Sequence, residues 1–279
     1  MASEPTVACI MLTKDRHELA ARAVRCFRAQ TYENKKLWIF DTGDHGMPNG
    51  ALTSNFYVWT CELYRGRMTI GRCRNEMILE SRGDVIIHWD DDDYSHPNRI
   101  AEQVAFLQSS GAAVVGYNQM LFWNHGSPDR MQTSGGYMVT KAEPFEVGES
   151  WLYTGPAHQP LGTSLCYWRS TWESHRFDDR KHAGEDSDFL ARVGHRRVKS
   201  VSSVFSCKEF VSVSPKPYKT LVERLCEANA TDLAPRMIAT VHGANTQQKT
   251  YDGFFKGGTV EMKRVAEWDE RVRQVLEGA

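Results

Sequence analysis

The chain has no apolar run near the roughly 18 residues of a membrane span, so no transmembrane segment is expected. Met1-Ala2-Ser3-Glu4-Pro5 lacks a charged n-region and a long apolar h-region, and no signal peptide is expected either. The 7 cysteines are odd in number, scattered and without a C-x-x-C pair. That argues against a disulfide frame or a zinc site and for reduced thiols in a cytosolic protein. An excess of one charge is also missing. The net charge is −1, which announces neither a nucleic-acid binder nor a polybasic membrane protein. Repeats and low-complexity tracts are absent. What is present is ordinary globular composition: 279 residues, 25% charged and 41% hydrophobic, enough to bury a real core.

Against this plain background one stretch stands out: Val85-Ile86-Ile87-His88-Trp89-Asp90-Asp91-Asp92-Asp93-Tyr94. An apolar strand runs into four consecutive carboxylates. If the strand continues, Asp90 and Asp92 face one way and Asp91 and Asp93 the other. Four adjacent negative charges repel one another, and leaving them uncompensated in a partly buried site is costly. A divalent cation removes that cost. Carboxylate oxygens are hard ligands suited to Mg²⁺ or Mn²⁺, ions that usually hold substrate phosphates as well. A solvated acidic turn ahead of the helix near Pro97 is the plainer explanation of the same residues.

The rest of the chain supplies a frame. Thr6 to Leu12 reads as a buried strand. Leu19, Ala23, Val24 and Phe27 then repeat at helical spacing, with Arg22, Arg25 and Arg28 mostly outside the stripe. Leu37–Phe40 is a second strand ending at Asp41, and Phe56–Leu63 is a third. Thr69 caps a helix through Glu80. Pro97–Gln108 is helical, with Pro near its first turn, and Ala113–Tyr117 is again a strand. Strands alternating with helices imply a Rossmann-like, mostly parallel α/β sheet flanked by helices. Ligands bind such sheets beyond the carboxyl ends of the strands, where Thr13, Asp41 and the acidic run all fall. Residues 118–160 show no strong periodicity. Further on, Gly162–Tyr167, Val198–Val201 and the stretch near Phe205–Val211 read as strands. Glu185–Val193, Tyr218–Ala228 and Glu261–Leu276 read as helices. The expected organisation is one domain over residues 1–212, with halves at about 1–117 and 118–212. A helical C-terminal extension, 213–279, packs on it.

In its order of features the chain resembles the inverting family 2 glycosyltransferases of the A-type glycosyltransferase fold. The matching residues are Thr13, Gln30-Thr31-Tyr32, Asp41, Arg74-Asn75, Asp90 to Asp93 with Pro97 five residues past Asp92, and Gly184-Glu185-Asp186-Ser187-Asp188-Phe189. They cover about residues 5–212. The resemblance implies that Thr13 and Asp41 hold the base and ribose of a nucleotide-sugar, and an Asp accepts well from such N–H and O–H groups. It implies that Arg74 contacts the nucleotide or its diphosphate, where a guanidinium fork suits the oxygens; Arg72 is a rival. Asp91 would lie near the ribose. Asp92 would ligate Mn²⁺ or Mg²⁺, Asp90 would orient its neighbours, and Asp93 has no clear role. Asp186 is the expected general base, deprotonating an acceptor hydroxyl as it attacks the anomeric carbon. Glu185 and Asp188 would hydrogen-bond around it or place favourable charge at a helix N-terminus. His242, in Val241-His242-Gly243-Ala244-Asn245-Thr246, is a further expected metal or diphosphate ligand, or else a loop His beside a turn Gly. His88 reads as a packed strand residue, and His182 is a weak alternative. Trp123, Trp151, Tyr153, Trp168 and Trp172 offer an acceptor platform or simply core.

Other classes fit less well. A nucleotidyltransferase would want a Gly-rich loop after the first strand, where this chain has Thr13-Lys14-Asp15-Arg16. An EF-hand-like calcium module would want Gly and Glu where Ser95 and Ala101 stand. A non-catalytic nucleotide-sugar or carbohydrate binder stays open. The donor is expected to be a UDP-sugar and the acceptor a hydroxyl of a glycan. A modified nucleic-acid base is an alternative acceptor, for which Arg196, Arg197, Lys199, Lys208, Lys216 and Lys219 offer a local basic patch.

Overall fold

Val7 to Leu12 is continuously apolar because both of its faces are covered. In the computed structural model, which describes residues 4–44, 56–60, 68–126, 146–204, 235–241 and 261–279, this run forms β1 (Val7–Thr13) in the interior of the sheet. Val7, Cys9 and Met11 point into one core cluster, while Ala8 and Ile10 point into another. A parallel strand buried on both faces needs no polar alternation. α1 (His17–Arg28) follows and returns over the first cluster with Ala20, Ala23, Val24 and Phe27. β2 (Lys35–Asp41) and β3 (Phe56–Thr60) then extend the sheet, each parallel to its predecessor.

α2 (Ile70–Glu80) begins where expected: the Thr69 hydroxyl caps it by accepting from the Arg72 N–H at 3.2 Å. It covers the second face, with Cys73, Met77 and Ile78 buried there. β4 (Val85–His88) returns parallel to β1, and its Ile87 and Ile86 again divide between the two clusters. The remaining elements are β5 (Tyr94–Ser95), α3 (Arg99–Ser110), β6 (Val114–Asn124), β7 (Ser150–Thr154), β8 (Cys166–Trp168), α4 (Arg169–Ser174), α5 (Glu185–Val193), β9 (Val198–Ser202), β10 (Met237–Val241), β11 (Glu261–Arg264) and α6 (Asp269–Glu277). The sheet order is β11-β7-β6-β8-β4-β1-β2-β3, with β9 and β10 also parallel to β6. The parallel half β3-β2-β1-β4 and its flanking helices match the expected fold class, and a C-terminal helix completes it.

Three expectations change. Gly162–Tyr167 is not one strand: Gly162–Ser164 forms a 3₁₀ turn, and only Cys166–Trp168 pairs as β8. Glu261–Leu276 is not one helix: Glu261–Arg264 pairs antiparallel with Trp151–Thr154 as β11, and α6 starts at Asp269. Edge pairing overrides the helical pattern there. Arg22 is not outside the α1 stripe but 6% exposed, for a reason given below. Thus the chain beyond 212 supplies two strands of the sheet, and β10 is tied to α3 by the buried pair Arg236–Glu102 at 2.9 Å. The stretches expected at 205–211 and 218–228 lie outside the described residues. Among the described residues no helix is long and apolar enough to cross a membrane.

Candidate active site

Parallel strands end together. In the β1–β2 register Thr13 stands beside Asp41, so the two residues expected to hold a nucleoside are neighbours. Asp41 is 3% exposed, and its Oδ1 accepts from the Gly43 N–H at 2.8 Å, closing a turn. β4 ends one strand away, and the acidic run follows.

The run does not continue as a strand. It turns at Asp91–Asp92, which breaks the two-residue alternation. Asp90, Asp92 and Asp93 converge, with one oxygen of each lying within 4.8 Å of the others. Asp91 goes the other way, towards Thr13 and Arg16. The expected pairing of Asp91 with Asp93 is therefore overturned by the turn.

Arginines compensate much of this charge. Arg16, at the start of α1, places Nη2 2.8 Å from Asp91 Oδ1 and Nη1 3.0 Å from Asp92 Oδ2. Arg22 reaches the same turn from one helical turn and a half further on. Its Nη2 donates to the Asp92 carbonyl at 2.6 Å and to the Thr240 hydroxyl of β10 at 2.8 Å. Burial pulls Arg22 below its usual pKa, and Asp93 and Asp92 push it back up. Asp93 is held at both oxygens: Oδ2 accepts from Thr163 Oγ1 at 2.5 Å and Oδ1 from the Thr240 N–H at 3.1 Å. Arg99, wholly buried, donates to the carbonyls of His88 and Thr163 and lies over the Trp89 ring.

The site's buried polar atoms without a hydrogen bond include two oxygens as well as the nitrogens Arg22 Nε and Arg74 Nε. Thr13 Oγ1 and Asp91 Oδ2 are buried without a hydrogen-bond partner among the described residues. The Thr13 hydroxyl is near enough to steady the Asp91 charge but makes no hydrogen bond to it. Burial and the Asp92 carboxylate push Asp91 up to about 8, against the pull of Arg16 and Thr13. Orphaned buried groups of this kind are uncommon and call for a partner.

The second acidic run lies on α5, across the mouth of the β4 strand. Glu185 is 4% exposed and pairs with Arg74 at 3.3 Å. Burial first, then Asp186, raises its pKa, while Arg74 lowers it. Arg74 Nη1 also lies against both ring nitrogens of His88, 2.9 Å from Nε2. Burial opposes the Arg74 charge, but Glu185, Asp90 and Asp186 outweigh it and the pKa is raised. Burial and Arg74 hold His88 well below its usual value, so the ring is neutral. Its Nδ1–H donates to the Gly162 carbonyl at 2.7 Å, leaving Nε2 to accept from the Tyr167 hydroxyl at 3.1 Å. His88 is thus the packed strand residue expected. Asp186 is half-buried, within the electrostatic reach of Arg74 and Tyr153. Asp188 turns outward to Lys181 and Arg192.

The structure therefore gathers Thr13, Asp41, Arg74, Asp90, Asp91, Asp92 and Asp186 at one edge of the sheet. His242 lies outside the described residues. Of the aromatic candidates, Tyr153 lies within electrostatic reach of Asp186. Trp172 is core, with its ring N–H on Asn75, and Trp168 sits at the opposite end of the sheet. Gln30-Thr31-Tyr32 is structural: Gln30 bonds the His96 carbonyl and the Ile100 N–H, and Tyr32 bonds the Pro5 carbonyl. Arg16, Arg22, Thr163 and Thr240 were not marked as site residues by the sequence. The position of Arg16 just past a strand end was a usable signal. The others act across 70 to 218 positions, and no local pattern reveals them.

The donor set suits a hard divalent cation. Asp90, Asp92 and Asp93 present oxygens only, clustered at the sheet edge, in the ligand chemistry Mg²⁺ and Mn²⁺ take.

This frame is shared with solved glycosyltransferase structures of the A-type fold. S. aureus TarS matches at TM-score 0.50 and 14% identity over 82% of this chain and 40% of that one. TarS 1-349 in complex with UDP-GlcNAc matches at TM-score 0.53 and 14% identity, over 88% of this chain and 61% of that one. The complex with UDP gives 0.51 and 15%, over 81% and 72%. At such identity the likeness is one of fold, and this chain spans only part of the TarS length. No curated protein matches the chain in sequence. The model of Glycosyl transferase family 2 matches residues 8–154, just over half of the 279 residues, and the chain belongs to that family.

Proposed function

We propose that this glycosyltransferase moves a sugar from a nucleotide-sugar to an acceptor hydroxyl of a glycan, inverting the anomeric centre. The observation that carries the proposal is the sheet edge itself. Three converging carboxylates stand beside two buried, unpartnered oxygens, Thr13 Oγ1 and Asp91 Oδ2. Thr13, Asp41 and Asp91 take the base and ribose. A UDP-sugar is favoured because TarS was solved with UDP and with UDP-GlcNAc. Asp92, with Asp90 and Asp93, holds Mn²⁺ or Mg²⁺, and His242 is proposed as a further ligand. The cation supplies charge stabilisation for the departing diphosphate, worth several kcal/mol. Arg74, buried against Glu185 and His88, is proposed to stabilise the diphosphate charge through its field in place of the direct contact expected from sequence.

Asp186 acts as the base. The acceptor oxygen forms its bond to the anomeric carbon as the bond from that carbon to the diphosphate oxygen breaks. The acceptor proton passes to the Asp186 carboxylate, and the nucleoside diphosphate leaves with the bonding electrons. One displacement inverts the centre. A glycan acceptor is favoured over a nucleic-acid base because Arg196, Arg197 and Lys199 stand at the amino end of β9, away from Asp186. Lys208, Lys216 and Lys219 lie outside the described residues. The catalytic unit proposed is residues 1–212 completed by β10 and β11 of the segment 213–279, which add strands to its sheet and bring Thr240 to Asp93, at a cytoplasmic or membrane-peripheral location.

The test is release of UDP from UDP-glucose, UDP-galactose and UDP-GlcNAc with Mn²⁺, across a panel of oligosaccharide acceptors. Acceptor-stimulated release that fails in Asp186→Asn supports the reading. Full release by Asp186→Asn removes that residue as base.

A further inference from the structure

The 3₁₀ turn Gly162–Ser164 touches both acidic runs. On one side it is pinned to the strand that carries the first run. The Gly162 carbonyl accepts from His88 at 2.7 Å, Thr163 Oγ1 donates to Asp93 at 2.5 Å, and the Thr163 carbonyl accepts from Arg99 at 3.0 Å. Ser164 adds a 2.7 Å bond from Gln103 to its carbonyl and receives the Tyr117 N–H on its hydroxyl. Every partner here is buried, so the turn is a fixed part of the core.

On the other side Gly162 faces Asp186. A methyl group at Gly162 would lie 1.9 Å from Asp186 Oδ2, 2.7 Å from its Cγ and 3.0 Å from its Cβ. All three nearest atoms belong to that one side chain. The φ of Gly162 is not in the left-handed region, so the backbone does not require glycine here. What the missing side chain secures is the approach of one carboxylate oxygen. The other oxygen, Oδ1, is engaged by the Ser187 N–H at 2.7 Å. Asp186 is therefore held between its own helix and a bare patch of backbone, and that patch is bonded through Thr163 to Asp93.

We propose that Gly162 is a positioning residue. It is the seat that sets the Asp186 carboxylate, at a fixed distance from the donor site, to receive the acceptor proton. This rests on the reading of Asp186 as base. Misplacing a reacting group by about 1 Å can cost on the order of 100-fold in rate. The added methyl of Gly162→Ala meets the Asp186 side chain rather than backbone, so the fold can accept it by turning the carboxylate away, with a small shift at Asp186 Cβ.

The experiment measures kcat for UDP release, using whichever of the three UDP-sugars above turns over, together with the UDP dissociation constant in Mn²⁺ and the melting midpoint. In Gly162→Ala we expect kcat to fall on the order of 100-fold, with UDP affinity and midpoint unchanged. In the Asp186→Asn background the same substitution should cause no further loss, because its whole effect passes through that carboxylate. Wild-type kcat in Gly162→Ala, or losses that multiply in the double variant, would overturn the seat. If Asp186→Asn is slow but Gly162→Ala is fast, only the seat fails. If Asp186→Asn itself is fast, the base assignment fails. Should Gly162→Ala lower the midpoint, Gly162→Ala/Asp186→Ala must restore it; a midpoint that stays low overturns the proposed contact.

Discussion

Asp91 and Asp92 share the guanidinium of Arg16, at 2.8 and 3.0 Å, whereas Asp188 takes both Lys181 and Arg192. The two acidic runs look alike in sequence but lie on different backbones. Asp90 to Asp93 occupy a turn, and three of their carboxylates converge on one point. Glu185, Asp186 and Asp188 occupy the first turn of a helix, where successive side chains fan out by about 100° each. Glu185 goes inward to Arg74, Asp186 sideways to Gly162, and Asp188 outward to Lys181 and Arg192. Convergent carboxylates suit a shared cation. Divergent ones can each take a separate task. Arg16 and Arg22 already balance part of the first run, so a cation has less charge to offset there than four bare carboxylates would present.

The division can be broken from either side. The largest expected effect is Asp186→Asn, a fall of about 10²- to 10⁴-fold in transfer with donor affinity nearly unchanged, read by steady-state kinetics beside UDP titration. Next comes Asp92→Ala. Metal-dependent UDP affinity should drop by more than the ~10–100-fold typical of a residue that merely supports a ligand, as calorimetry would report. If Asp92→Ala affected only turnover and Asp186→Asn only affinity, the roles would be reversed.

Arg16→Gln sharpens the comparison within the first run. It strips the shared cation from Asp91 and Asp92, and the melting midpoint without metal should fall by ~1–3 kcal/mol equivalent, less than for a fully buried pair. Added Mn²⁺ should recover part of that loss by binding the folded state. A loss that Mn²⁺ leaves untouched would show that the carboxylates freed by Arg16 are not available to the ion.

Asp91→Asn should move stability the opposite way. The Asp91 pKa is about 8 when folded, against 3.8 for an ordinary aspartate in the unfolded chain. The folded state therefore binds the proton more tightly, and stability is lost as pH rises from about 4 to about 8. Asn cannot ionise, so Asp91→Asn should be more stable at pH 8 by ~1–2 kcal/mol, about 2–6 °C, with the gain shrinking towards pH 4. A destabilised variant at pH 8 would mean that the Arg16 bridge outweighs the burial of charge. The smallest effect belongs to Asp188→Asn, whose partners are partly exposed. It should change stability by less than ~0.5 kcal/mol and leave turnover within about twofold.

The local features of this molecule were readable from its residues. The Thr69 cap, the limits of α5 at Glu185 and Val193, and the placement of Thr13, Asp41 and the acidic run on one sheet edge all follow from local chemistry and strand–helix alternation. The misses share a cause, which is long-range contact. The turn at Asp91–Asp92 depends on Arg16 and Arg22 from another helix, and on Thr163 and Thr240 from later segments. The β11 strand exists because β7 offers an edge, against a helix-like run of charges at Glu261–Arg264. Arg22 seemed a surface arginine because nothing near it in sequence announced Asp92 or Thr240.

The most direct test is calorimetric titration of the protein with UDP, with and without Mn²⁺, followed by GDP and CDP. We expect UDP to bind tightly only with the metal, and binding to vanish in Asp92→Ala. If no nucleoside diphosphate binds, with or without metal, the converging carboxylates are not a donor site, and the account of this sheet edge is wrong.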